Sequence, residues 1–287
     1  MRLPIILFSA VLLGLAAIPP ALALQKEDIQ AHNLDNGLKV LLLPDPTIPN
    51  VALYTFFRVG SRNERPGITG VSHFIEHMMF NGTASVGPGE FDRRMEALGG
   101  SNNASTGEDV TFYTDWFPAG ALETMLRMEA ERIQGLTFDP KVLESERGVV
   151  ASERRLVVEN DNDGFLDENV RATSIMAHPY HWDVIGWMSD IQGWRRDDVV
   201  QYYRTFYAPN NAVLVLVGDF EPAPALELIR KYYGPVPGGP PPPPVTTVEP
   251  LQTGIKRVTI RKEALTPSFS MAFHAPRGAD PDFPALR

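Results

Sequence analysis

Val51-Ala52-Leu53-Tyr54-Thr55-Phe56-Phe57-Arg58-Val59 runs through a polar, Gly-rich loop, Gly60 to Gly70, into Val71-Ser72-His73-Phe74-Ile75-Glu76-His77-Met78. The first run is mostly apolar, which predicts a strand near the centre of a sheet. The second carries apolar residues at helical spacing and predicts a helix that begins near Thr69 and stops at Asn81-Gly82. A buried strand followed by a helix through a loop places the chain among proteins in which helices pack on a sheet.

Outward from this unit the same alternation continues. Asn36-Gly37 favours a tight hairpin turn, making Leu38-Lys39-Val40-Leu41-Leu42-Leu43 a strand. A second helix is predicted from Gly89 to Leu98, closed by Gly99-Gly100. Two strands follow, Ser101 to Thr106 and Val110 to Phe117. The first of these is small and polar, which suits a sheet edge, either plainly solvent-facing or open to a substrate backbone added as a further strand.

Pro118 opens a helix to Gln134 whose Leu122, Met125, Leu126, Met128 and Ile133 stripe is core. Asp139-Pro140 starts a longer helix to Glu159, with Asp139 as N-cap. Phe165 to Ala177, Arg196 to Phe206 and Glu221 to Tyr233 are predicted helices, and Ala212 to Asp219 a buried strand. The fold class is therefore α+β, a mixed or antiparallel sheet with helices packed on it.

The apolar fraction of 44% and charged fraction of 21% are those of a globular chain. A net charge of −9 argues against nucleic acid as a partner. The start of the chain reads as an address: Met1-Arg2, an apolar run from Leu3 to Ala17, the break Pro19-Pro20, and Ala21-Leu22-Ala23 as a cleavage site. The proline pair leaves the run too short for a membrane span, so export with cleavage after Ala23, and no stable membrane anchor, is expected. The absence of cysteine excludes disulfides, a thiol nucleophile and cysteine metal ligands.

From Gly234 the composition shifts. Residues 234–250, with the run Pro240 to Pro244, predict an extended polyproline spacer after a domain spanning 24–233. Beyond it, Lys256 to Arg261 and Ser268 to His274 look like two strands. They are too short a segment for a core of their own and read as the truncated start of a second domain, 251–287.

At about 100° per residue, His73, Glu76 and His77 share one side of their helix. Two imidazoles one turn apart can hold one zinc ion, and a carboxylate beside them can take a proton from metal-bound water. A third ligand must come from elsewhere. Glu146 and Glu153, seven apart, share a stripe but lie roughly 10 Å apart along the helix, so one ion takes at most one of them. Spacing leaves open which one, and either could instead be satisfied by Arg147 or Arg154. His178-Pro179-Tyr180-His181 presents no helical face and reads as loop packing, and His32 and His274 carry no pattern.

Gly60-Ser61-Arg62-Asn63-Glu64, His73-Phe74-Ile75-Glu76-His77-Met78-Met79-Phe80-Asn81-Gly82-Thr83 and Glu146-Arg147-Gly148-Val149-Val150-Ala151-Ser152-Glu153 together resemble the pitrilysin/insulinase family of zinc peptidases, whose signature is H-x-x-E-H. Gly99-Gly100, Asn103-Ala104, Thr111-Phe112-Tyr113, Tyr207-Ala208-Pro209-Asn210-Asn211 and Val217-Gly218-Asp219 match its secondary landmarks. The likeness extends from Asn33 to the chain end and is strongest to bacterial exported members built from two similar domains, which implies a periplasmic location. It implies His73, His77 and Glu153 as ligands of one zinc, Glu76 as general base, Glu146 as an accessory carboxylate, and Asn103 and Ala104 on the strand that receives substrate. The implied activity is zinc-dependent hydrolysis of peptides or unfolded polypeptides, with a homologous domain or subunit completing the chamber. The alternative is a peptide-binding or assembly module that does not cleave without that second part.

Overall fold

The structure, a computed structural model, describes residues 28–286; the expected leader and its cleavage after Ala23 lie outside them. Among the described residues six strands form one sheet: β1 (Gln30–Asn33), β2 (Lys39–Pro44), β3 (Asn50–Phe57), β4 (Ser101–Thr106), β5 (Thr111–Pro118) and β6 (Ala212–Gly218). Their order is β1-β2-β6-β3-β5-β4, with β2 and β6 parallel and the remaining pairs antiparallel. This is a mixed sheet in an α+β fold.

Asn36-Gly37 makes the expected turn between β1 and β2, with Gly37 at φ +88°. The run that became β3 sits third from the β4 edge, and alternate residues Val51, Leu53, Thr55 and Phe57 are all but fully buried. On the same face, Thr111, Tyr113, Asp115 and Phe117 of β5 and Leu214 and Leu216 of β6 are buried as well. Residues on the opposite face of β3 are only half-buried, so the helices cover one face of the sheet.

Eight α-helices accompany the sheet among the described residues: α1 (Val71–Met78), α2 (Glu90–Ala97), α3 (Leu122–Gln134), α4 (Pro140–Arg154), α5 (Asn162–Ser174), α6 (Met188–Gly193), α7 (Arg196–Phe206) and α8 (Pro222–Tyr233). Asp139 caps α4 as expected, accepting the Lys141 and Val142 N–H groups. The Met125, Leu126 and Met128 stripe of α3 is core.

Four sequence expectations are corrected. The helix predicted to reach Glu159 is α-helical only to Arg154 and continues as a π-helical turn, Arg155–Glu159. α5 begins at Asn162, because Asp161 accepts the Gly164 N–H and caps it earlier than the apolar pattern suggested. α6 was not expected at all; six residues give too little periodicity to read. The segments 256–261 and 268–274 are not strands. A strand needs a neighbour to receive its N–H and C=O groups. These segments find none, and Phe269 and Phe273 stay 82% and 81% exposed.

The start of the proline-rich segment is anchored to the β1–β2 turn. Val236 is buried, and Asn36 Nδ2 donates to the Tyr233 and Val236 carbonyls at 2.7 and 2.9 Å. No helix among the described residues is long and apolar enough to cross a membrane.

Candidate metal and catalytic site

α1 owes its start to a device the periodicity does not reveal. Its N-cap, Gly70, has φ +82°, and a Cβ there would lie 2.2 Å from the Ile185 carbonyl oxygen, so the position requires glycine. With no capping side chain at Gly70, the buried Glu64 carboxylate reaches in from the preceding loop. It accepts the Gly70 N–H at 2.7 Å and the Ser72 N–H at 2.8 Å. Burial pushes its carboxyl up to about 8, against the pull of those two donors. Glu64→Ala is expected to lower stability by about 1–3 kcal/mol by leaving these amides without an acceptor, measured by urea unfolding.

From that fixed start, α1 presents His73, Glu76 and His77 on one side. The two imidazoles meet edge to face with ring centroids 4.7 Å apart. Glu153, from the last turn of α4, faces both: its Oε2 lies 3.8 Å from His73 Nε2 and 3.4 Å from His77 Nε2. The structure thus separates the two candidate carboxylates that spacing could not. Glu146, two turns earlier on α4, instead binds the far side of His77, with its Oε1 2.7 Å from Nδ1. Neither glutamate is taken up by its neighbouring arginine, because Arg147 pairs with Glu144 and Arg154 with Glu168 and Glu159.

The donor set fits a zinc ion. The His73, His77 and Glu153 ligand atoms lie within 4.8 Å of one another. Two donors on a tetrahedron with arms of about 2.1 Å are roughly 3.4 Å apart, close to the separations from the histidines to Glu153. Glu153 Oε2 is buried and has no hydrogen-bond partner, a costly state for a carboxylate oxygen unless a cation completes it. Burial and the neighbouring His77 push His73 down to about 4, which favours the neutral imidazole, the form able to offer a lone pair to a metal. Although burial opposes it, the carboxylates of Glu146 and Glu153 hold His77 up to about 9; the cluster attracts positive charge. The side chain of His77 beside Glu153 lowers that carboxyl in turn.

Glu76 is held from the sheet. Thr106, the last residue of β4, donates its hydroxyl to Glu76 Oε2. Burial raises the Glu76 carboxyl above its ordinary value, the direction a proton-transferring group needs. The sequence reading missed Thr106, since nothing in a small polar strand marks one hydroxyl as different. β4 is the sheet edge, as expected, with Asn103 exposed and Ala104 half-buried. An extended peptide pairing with β4 would therefore run alongside a strand whose end touches Glu76. His178 caps a short 3-10 turn, Pro179–His181, and His181 Nδ1 lies 2.7 Å from the Ile175 carbonyl.

Residues 39–185 match the insulinase family, peptidase family M16, and residues 193–287 match the peptidase M16 inactive domain. A zinc protease of Helicobacter pylori, PqqE, is 33% identical over 239 residues, covering 82% of this chain and 54% of the relative. A protease structure from Helicobacter pylori superposes with a TM-score of 0.75 at 34% identity, over 77% of this chain and 54% of that one. The first half of the periplasmic protease PqqL from Escherichia coli superposes with a TM-score of 0.71 at 27% identity, over 79% of this chain and 50% of that one. The chain spans about half the length of the H. pylori relative it matches.

Proposed function

The chain belongs to the insulinase family of peptidases, M16, and we propose that it is the zinc-binding part of an exported metallopeptidase that hydrolyses peptide bonds. The observation that carries this reading is the meeting of His73, His77 and Glu153 around one point, with Glu146 behind His77 and Glu76 one turn away. His73 Nε2, His77 Nε2 and Glu153 Oε2 would hold the ion. When bound there, zinc supplies Lewis acidity towards a peptide carbonyl and lowers the pKa of water.

The protein's own groups do the rest. Glu146 accepts the Nδ1–H of His77, fixing the tautomer that leaves Nε2 free to ligate. Thr106 holds one oxygen of Glu76, and the other takes the proton of the attacking water and returns it to the departing amine nitrogen. A peptide or unfolded segment adds to β4 at Asn103 and Ala104, which presents its backbone to that carboxylate. We assign residues 24–233 to the zinc-binding domain, 234–250 to a spacer and 251–287 to the beginning of a second similar domain that helps close the chamber. Export to the periplasm of a Gram-negative bacterium is part of the same proposal, supported by the apolar leader and by the likeness to periplasmic PqqL.

Zinc titration against a chromogenic chelator tests the metal assignment. The chain is expected to take up one zinc, and Glu153→Gln to bind it at least roughly 10–100-fold more weakly. Equal affinity in the two proteins would remove Glu153 from the ligand set. A second reading has its own observation: the match of residues 193–287 to an inactive domain favours a peptide-binding or assembly module that needs another part to cleave. Zinc uptake and peptide binding without cleavage by the purified chain would support it.

A further inference from the structure

Each glutamate that α4 sends to the metal cluster is followed by an arginine, Glu146-Arg147 and Glu153-Arg154, and the two arginines repeat the seven-residue spacing of the glutamates. Neither arginine faces the metal. Arg154, 4% exposed at its side chain, donates to the Gly186 carbonyl at 2.6 Å and forms ion pairs with Glu168 Oε1 at 2.7 Å and, through its Nε, with Glu159 Oε1 at 3.4 Å. Arg147 donates to the carbonyls of Ile191 and Trp194, the latter at 2.6 Å. The guanidiniums stand 5.8 Å over the rings of Trp187 and Trp194 respectively. Both therefore grip one segment, 186–194.

That segment is the buttress of α1. Asp190 Oδ2 accepts from Gly67 N, Thr69 N and Thr69 Oγ1 at 2.9, 3.1 and 2.7 Å. Thr69 Oγ1 accepts the Trp187 N–H at 2.9 Å, and the Thr69 carbonyl accepts Trp194 Nε1–H at 3.1 Å. Gly186, at φ +77°, lies so close that a Cβ would sit 2.3 Å from Thr69 C and 2.4 Å from Gly70 N. Trp194 also packs on Phe74, the residue after His73, with ring centroids 4.8 Å apart. A continuous set of hydrogen bonds thus joins the helix bearing Glu153 to the residues that lead directly into the helix bearing His73 and His77.

We propose that Arg147 and Arg154 are positioning residues which, through the 186–194 segment, set the separation of α4 from α1 and with it the affinity of the cluster for zinc. This rests on the zinc reading above. A guanidinium suits the task because its planar fork spans two acceptors in fixed geometry, which one ammonium cannot do. The π-helical turn begins directly after Arg154, so the last α-helical turn, which carries Glu153, is held at its side by this residue.

The test uses the whole chain as Arg147→Met, Arg154→Met and Asp190→Asn, the last loosening the same brace at its α1 end. Arg94→Met, which removes a surface pair with Glu90, serves as control. Two readouts are taken: zinc affinity by chelator competition, and hydrogen exchange of the α1 amides in metal-free protein. Each brace variant is expected to weaken zinc by roughly 10–100-fold, the range for partners that orient ligands, and to speed exchange in α1, while the control does neither. Zinc affinity within twofold of the natural chain in the brace variants would overturn the proposal. If the natural chain itself binds no zinc, the function reading fails, and exchange alone decides the brace: unchanged α1 protection overturns it. If the arginine variants do not fold, Asp190→Asn decides the matter by the same two readouts from the α1 end.

Discussion

Glu76→Gln is expected to keep zinc at the affinity of the natural chain and to lower cleavage of a quenched peptide by about 10²–10⁴-fold, the usual worth of a positioned proton-transfer group. The substitution is chosen for what it leaves unchanged. Glutamine has the same shape, and its carbonyl oxygen can still accept the Thr106 hydroxyl that holds Glu76 in place. His73, His77 and Glu153 remain untouched, so metal content is the internal control. Only the ability to take and return a proton is lost. A chain that loses zinc along with activity would show that Glu76 belongs to the metal's surroundings rather than to proton transfer. A natural chain that binds zinc and shows no Glu76-dependent cleavage would sink the peptidase reading for this chain and leave the peptide-binding one.

What the sequence disclosed and what it withheld divide along a physical line. Patterns that repeat within one element were legible. Four-residue spacing placed His73 and His77 on one face, Asp139-Pro140 announced the start of α4, and the small, polar Ser101 to Thr106 identified the edge strand. Relations between elements distant in the chain were not. Glu146 and Glu153 share a stripe of one helix, so nothing local says that one meets His77 Nδ1 and the other the two Nε2 atoms. That choice is made by how α4 packs against α1, which neither segment states on its own. Thr106 and Glu64 escaped for the same reason: each acts on α1 from another element. The strands expected at 256–261 and 268–274 failed in the opposite sense, since a strand-like sequence states a preference for pairing and cannot supply the partner.

Arg132→Met is expected to destabilise the fold by about 3–5 kcal/mol, the cost of stripping the partner from buried charges. Arg132 is 3% exposed on α3, with its guanidinium against Glu129 and 3.9 Å from Asp115 Oδ1. It stands 3.9 Å over the ring of Phe91 and about 5 Å over Phe80 and Tyr113, so the cation lies among the aromatics that pack just beyond the end of α1. Methionine would retain much of the packing but leave two buried carboxyls without their cation. Burial already raises the Asp115 carboxyl well above its ordinary value, with Glu129 adding to the shift and Arg132 opposing it. A carboxyl whose folded pKa exceeds its unfolded one takes up a proton on folding. Its cost is absent below the unfolded value and grows as pH rises towards the folded one. Removing Arg132 raises the folded value further, and that adds a cost only once the pH passes the folded value of the natural chain, so the loss measured by urea unfolding should grow, and never shrink, as pH rises. Adding Glu129→Gln should return part of it, because the second uncompensated charge is then gone. A loss independent of pH would mean that Arg132 serves through its stem and its aromatic stacking, with its charge already balanced elsewhere.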